Sequence, residues 1–277
     1  MVSRMPHPDF PAELTVHDWG GPQGATALLL LHGLTDSGEC WADAVTRWTP
    51  SYRVLSWDAR GHGTSARFTP GQLDHGVGET MLADAVAVLE SLDGKGLGRP
   101  LLVGHSMGGG TAGAVAATRP DLIRGAVLED PALGEDPSET LTDRLRAGDE
   151  RVDDAQLWHD DPETALAMGM ADNEGWPPDE YPGWARSKTQ TDLLMLATGQ
   201  ARVRRSWLDV AAEIAAPSLM LACDDPLLWN EESLARLRGL GNPQLRIERV
   251  PGAGHCIRRS QPEAFHALVD PWLAEHA

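Results

Sequence analysis

A chain of 277 residues that is 42% hydrophobic and 23% charged is long enough to bury a substantial core as one large domain, with or without an insertion. Its formal net charge of −18 argues against nucleic acid and against anionic membrane surfaces as partners, and no apolar run approaches the ~20 residues that span a bilayer. The acidity is read as the solvated surface of a soluble protein rather than as steering of a cationic substrate.

Taken in chain order, residues 1–10 carry no apolar stretch of the kind a secretory leader needs. Residues 13–19 alternate as a half-exposed strand, and Gly20, Gly21 and Pro22 mark a turn. Residues 26–31 are almost continuously apolar, which predicts a strand covered on both faces. A short helix is expected over 40–49 and a strand over 52–57. Met81, Leu82, Ala85, Val86, Leu89 and Leu92 recur at helical spacing within 77–92. A strand over 100–103 then runs into Gly104-His105-Ser106-Met107-Gly108 and a small-residue helix over 106–119, followed by a strand over 123–128. From about 135 to 205 the strand rhythm vanishes. Between Glu135 and Ala185 there are 15 acidic and 3 basic side chains, a net −12, and Pro137, Pro162, Pro177, Pro178 and Pro182 break the helical fragments. The alternation resumes with a helix over 205–215, a strand over 217–222, a helix over 231–240, a strand over 245–250 and a closing helix over 261–275. Helices alternating with buried strands predict an α/β fold, with a mostly parallel central β-sheet flanked by helices.

The order strand, Gly-x-Ser-x-Gly, helix puts Ser106 at the apex of a sharp turn. Gly104 and Gly108 spare that turn a Cβ where strand and helix cross. This stretch resembles the nucleophile elbow of the α/β-hydrolase superfamily. Two further motifs resemble the same family: His32-Gly33-Leu34 after the second strand, and Asp58-Ala59-Arg60-Gly61-His62-Gly63-Thr64-Ser65 after the third. The latter is read as structural, with Asp58, Arg60 and His62 engaged in loop hydrogen bonds and an ion pair. The resemblance implies that the backbone N–H groups of Leu34 and Met107 form an oxyanion hole. It also implies a helical cap over 135–205, inserted after the sixth strand, on a core of 1–134 and 206–277. Trp158, Trp176 and Trp184, with Met168 and Met170, are candidates to line a substrate cavity beneath it, against the plainer reading of ordinary packing.

A serine hydroxyl needs a base, and the base needs an acid. The family's order is Ser, acid, His. Its pattern of a small residue, two variable positions and Asp, laid on Ala222-Cys223-Asp224-Asp225, selects Asp225. Asp224 is the first alternative and Asp130, after the preceding strand, the second. Val250-Pro251-Gly252-Ala253-Gly254-His255 matches the family's Gly-x-Gly-His loop and selects His255. The resemblance thus implies a Ser106-His255-Asp225 hydrolase of a small-molecule ester. A lactonase, a prolyl-type aminopeptidase, a C–C bond hydrolase or a non-catalytic receptor are alternatives on the same fold.

With no P-loop and no dinucleotide fingerprint, no cofactor and no metal are expected. Cys40, Cys223 and Cys256 form an odd set without metal spacing, read as reduced thiols of a cytoplasmic protein, and ordinary burial of Cys223 and Cys256 is favoured over a regulatory disulfide. Oligomeric state is left open.

Overall fold

Four runs of five residues, each buried along its whole length, form the middle of a seven-stranded sheet. The computed structural model describes residues 13–135, 139–224 and 228–277. In chain order the elements are β1 (Val16–Gly20), β2 (Ala27–Leu31), α1 (Ala42–Trp48), β3 (Arg53–Trp57), α2 (Pro70–His75), α3 (Val77–Gly94), β4 (Leu101–His105), α4 (Met107–Thr118), β5 (Gly125–Glu129), α5 (Leu141–Asp160), α6 (Pro162–Asp172), α7 (Glu180–Lys188), α8 (Leu193–Ala197), α9 (Trp207–Glu213), β6 (Ser218–Ala222), α10 (Glu231–Gly239), β7 (Leu245–Arg249), α11 (Ile257–Ser260) and α12 (Pro262–His276).

The strands lie in the order β1-β3-β2-β4-β5-β6-β7. β1 runs antiparallel to β3 at one edge, with a register shift between Asp18 and Gly20, and every other pair is parallel. Alternation along each strand divides the apolar residues between two cores. Leu28, Leu30, Leu101, Val103, Val127, Leu219 and Leu221 face α1 and α12, where Trp41, Trp48, Phe265 and Leu273 pack. Leu29, Leu31, Leu102, Ala126, Leu128, Met220 and Ala222 face the other side, against Met81, Leu89, Ala112, Val115 and Val210. A strand buried on both faces must be apolar at every position, which is why β2, β4, β5 and β6 read as unbroken runs.

The predicted core elements are all found, with ends displaced by at most three residues. The α2 turn is an addition, closed by a capping box in which Thr69 accepts from Gln72 N–H. Between β5 and β6 lie α5 to α9, of which α5 to α8 make up the segment without strands, and counted along the described residues it follows the fifth strand. Pro162 stands in the first turn of α6 behind the Asp161 cap, where its missing N–H costs nothing. Pro182 sits near the start of α7, and Pro137 lies outside the described residues. Among the described residues, no helix is long and apolar enough to cross a membrane.

Gly108 is where the layers approach most closely. A Cβ there would overlap the Leu31 carbonyl, and a Cβ on Gly104 would overlap the Gly108 carbonyl. Helix propensity favours alanine over glycine by about 1 kcal/mol, so any loss at Gly108 must come from this crossing. We expect Gly108→Ala to lower the unfolding free energy by ~2 kcal/mol or more. Gly239→Ala, whose Cβ meets nothing within 4 Å, should leave stability unchanged or slightly raised. Guanidinium titrations of both variants check this.

Candidate active site

Ser106 joins β4 to α4 with φ 49° and ψ −111°, a conformation that L-residues rarely adopt. Its backbone is held on both sides. Its N–H donates to the Glu129 carbonyl at 2.9 Å, and its carbonyl accepts from Ala132 and Gly110 N–H at 2.9 and 2.8 Å. Among the described residues, the other non-glycine residues with positive φ are Thr35 (64°) and Asp130 (38°). All three lie just beyond the C-terminal ends of neighbouring parallel strands, β2, β4 and β5. Strain of this kind persists only where the surroundings over-determine it, and it clusters at functional sites.

The carboxylate that meets His255 is that of Asp130. It is fully buried, and its Oδ2 lies 2.6 Å from His255 Nδ1. The Cys223 N–H donates to Oδ1 at 3.2 Å and the Cys223 thiol to Oδ2 at 3.3 Å. Asp225, selected by the sequence pattern, lies outside the described residues. Asp224, the first alternative, turns away from His255: its carboxylate takes Arg249 Nε at 2.7 Å and the Gly252 N–H at 2.6 Å. The reason is register. β5 lies between β4 and β6, so its end places Asp130 directly beside both the elbow and the loop leaving β6. Because an ionised carboxylate only accepts, Asp130 assigns the ring proton of His255 to Nδ1 and leaves the Nε2 lone pair free.

Ser106, His255, Leu34 and Met107 line one cavity of about 740 Å³. Met107 opens α4, so its N–H has no carbonyl one turn earlier in the helix to bond. Trp176 and Trp184 line the same cavity. Trp158 borders a smaller one of about 290 Å³ beside Leu34 and packs edge-on against Trp184, with ring centroids 5.1 Å apart. Met168 and Met170, candidates for the same wall, are 52% and 43% exposed.

Residues without a role in the sequence reading support this constellation. His105 is buried against His255, ring centroids 4.8 Å apart, and its Nε2–H donates to the His255 carbonyl at 3.2 Å. Burial first, then the neighbouring His255, holds its pKa well below the usual value, so it remains neutral. Asp36 accepts from Lys188 at 2.9 Å and pairs with Arg259 at 3.0 Å. Burial pushes its carboxyl up, but the charges of Arg259, Lys188 and Arg258 outweigh this and hold it well below the carboxylate range. Arg259 also bonds Glu180 of α7 at 2.8 Å and stacks over Trp176, while Arg258 bonds Glu129 at 2.8 Å and lies over Trp41. This ion network ties the helical segment to the sheet.

His105, Glu129 and Cys256 bring ligand atoms within 4.8 Å of one another. They are poor metal donors: Arg258 engages Glu129, and burial pushes the Cys256 thiol up to about 12. The Asp58 loop is structural, as expected. Asp58 binds His17 and the N–H groups of Gly38 and Thr64, and its pKa is lowered to about 2 because these bonds outweigh its burial. Arg60 pairs with Asp84 through two bonds, at 2.9 and 3.0 Å.

Residues 28–268 match the model of the Alpha/beta hydrolase family, and the chain belongs to that family. It is 35% identical to the lipase LipV of Mycobacterium tuberculosis over 138 residues, a match that spans 49% of each chain. Over 285 residues it is 28% identical to the sn-1-specific diacylglycerol lipase ABHD11 of Mus musculus, covering 95% of this chain and 86% of the other. The fold superposes on the crystal structure of E-2-(acetamidomethylene)succinate hydrolase with a TM-score of 0.74 at 24% identity, covering 93% of this chain and 95% of that one.

Three buried imidazoles give the site a pH signature. His32 donates from Nδ1 to the Gly33 carbonyl at 2.7 Å, while its Nε2 accepts from Ala59 N–H at 3.0 Å, so a second proton would break the latter bond. Burial lowers the pKa of His32, of His62 (to about 3) and of His105. In each case the unfolded chain takes up a proton near the ordinary value of 6.5 while the folded chain does not. Stability is therefore complete above that value and lost on acidification below it, by up to about 1.4 kcal/mol per pH unit for each histidine. Urea midpoints at about pH 7.5, 6 and 5 should fall steadily; a flat profile would contradict the burial argument.

Proposed function

We propose that this protein is a serine hydrolase that cleaves a carboxylic ester of a small molecule through an acyl-enzyme. Ser106 is its nucleophile, His255 its base and Asp130 the orienting acid. The observation that carries this reading is the 2.6 Å contact between His255 and buried Asp130, on a cavity that Ser106 shares from a strained turn. In the proposed mechanism His255 Nε2 takes the hydroxyl proton as Ser106 Oγ attacks the carbonyl carbon. The N–H groups of Leu34 and Met107 hold the oxyanion, which a backbone pair does without reorganising. The imidazolium, stabilised by Asp130, then protonates the departing alcohol. Water, activated by the same histidine, releases the acid and restores Ser106. The helical segment 135–205 is the proposed cap, and Trp158, Trp176 and Trp184 its proposed substrate-facing aromatics.

Relatives named as lipases favour ester chemistry. A prolyl-type aminopeptidase fits less well. Of the acids that line the Ser106 cavity, Asp36 is already engaged by Lys188 and Arg259, and Asp172 and Glu174 are exposed, which leaves no buried free acid there among the described residues to hold an amine.

Ser106→Ala should lower kcat on p-nitrophenyl esters by at least about 10³-fold, and Asp130→Asn by about 10²- to 10⁴-fold, because it leaves the wrong His255 tautomer. Asp225→Asn should stay within a few-fold of the parent enzyme. A fluorophosphonate probe should label the parent and spare Ser106→Ala and His255→Ala. Labelling that persists without Ser106 would sink the nucleophile assignment. Asp225→Asn crippling turnover while Asp130→Asn spares it would return the acid to Asp225.

A further inference from the structure

Charge in the helical segment is sorted by face. Along α5 the residues Gly148, Arg151, Ala155 and Trp158 recur at helical spacing, with Gly148 and Ala155 buried, whereas Asp149, Glu150, Asp153 and Asp154 are exposed. The inner stripe of this strongly acidic helix thus carries only positive charge, Arg144 and Arg151, and of these Arg144 is paired with Glu135 at 2.6 Å. Arg151 lines the cavity of Ser106 and His255, the smaller cavity beside Leu34, and a third that it shares with Arg202. Arg202, from the loop that follows α8, lines the Ser106 cavity from a different stretch of chain.

The other two cations on that wall are already paired. Lys188 and Arg259 both bind Asp36. Arg202 has Glu139 at 3.7 Å, while Arg151 has no ion pair among the described residues. Asp172 and Glu174 also line the cavity but are exposed. Burial, then the positive charge of Arg202, lowers the pKa of Arg151, as expected when two guanidinium groups share a partly desolvated space. Two cations held together beside an apolar and aromatic wall are stabilised by an anion between them. The guanidinium fork, planar and always charged, matches a carboxylate in geometry. With Glu139 already offsetting one of the two charges, a monoanion balances the other.

We propose that Arg151 and Arg202 form a carboxylate clamp, so that the preferred substrate is an ester bearing a second, free carboxylate, such as a monoester of a dicarboxylic acid. The word substrate here rests on the hydrolase reading above; the binding site does not. An overall charge of −18 would repel such an anion at long range, so the clamp acts at contact distance, inside the cavity.

The test separates binding from turnover by using full-length Ser106→Ala protein. Calorimetric titrations compare monomethyl glutarate with its neutral isostere, methyl 5-methylhexanoate. The anionic ester should bind at least about tenfold more tightly. Adding Arg151→Gln and Arg202→Gln together should abolish that preference and leave the affinity for the neutral ester within about threefold. If the double replacement does not fold, as judged by circular dichroism, Arg151→Gln alone carries the test, with an expected loss of about threefold or more for the anionic ester only. With Ser106 intact, the same arginine replacements should raise KM for monomethyl glutarate and leave fluorophosphonate labelling unchanged. Equal affinity for the two esters, no saturable binding of monomethyl glutarate, or a preference that survives the loss of both arginines overturns the clamp. Retained anion binding in a protein that the fluorophosphonate never labels would instead overturn the hydrolase reading and leave the clamp standing.

Discussion

The close crossing of β4 and α4 sets the geometry of everything around it. Gly104 and Gly108 let the two backbones meet beneath the end of β2, where any side chain at Gly108 would strike the Leu31 carbonyl. That approach forces Ser106 into φ 49° and aims the helix axis at the end of the sheet. The same tightness propagates sideways. Gly109 and Gly110 press on Pro131 and Ala132, and Gly33 presses on the ring of His105. The loops leaving β2, β4 and β5 are therefore packed on one another rather than hung separately from the sheet. A group placed on one of them keeps its distance to groups on the others, which is the rigidity that positioned catalysis requires.

A second layer of order comes from buried charge. Asp36, Glu129 and Glu180 face Arg258, Arg259 and Lys188 in a network whose members come from the loop after β2, the end of β5, α7 and α11. Such pairs are weak evidence for net stability, since desolvation offsets their attraction. Their consequence here is positional. Removing one partner leaves an uncompensated buried charge, so α7 and its one indole, Trp184, are held to one placement over the sheet. Cation–π contacts of Arg258 with Trp41 and Arg259 with Trp176 extend this fixation into the apolar walls.

The same segment shows why net charge is a poor guide to a binding site. Its composition is strongly acidic, yet most of its acids face water, where hydration is cheap. Arg151 and Arg202 line the interior, where a charge is costly without a partner. Composition sums over both faces of a helix. What a ligand meets depends on the phase of that helix against its neighbours.

Sequence alone determined the layered α/β architecture, because strands covered on both faces must be apolar throughout and helices covered on one face must be apolar at helical spacing. It also determined Ser106 and its flanking glycines as a turn, since only small residues permit that crossing, and it singled out the Gly-rich loop carrying His255. These are local signals. The partner of His255 was not local. Asp130 and Asp224 each stand just beyond a strand end, and only the order of β4, β5 and β6 in the sheet decided which of the two reached the imidazole. His105, Arg151 and Lys188 were likewise invisible as site residues. Their roles arise from contacts between segments as many as 153 residues apart, which no spacing within one segment encodes.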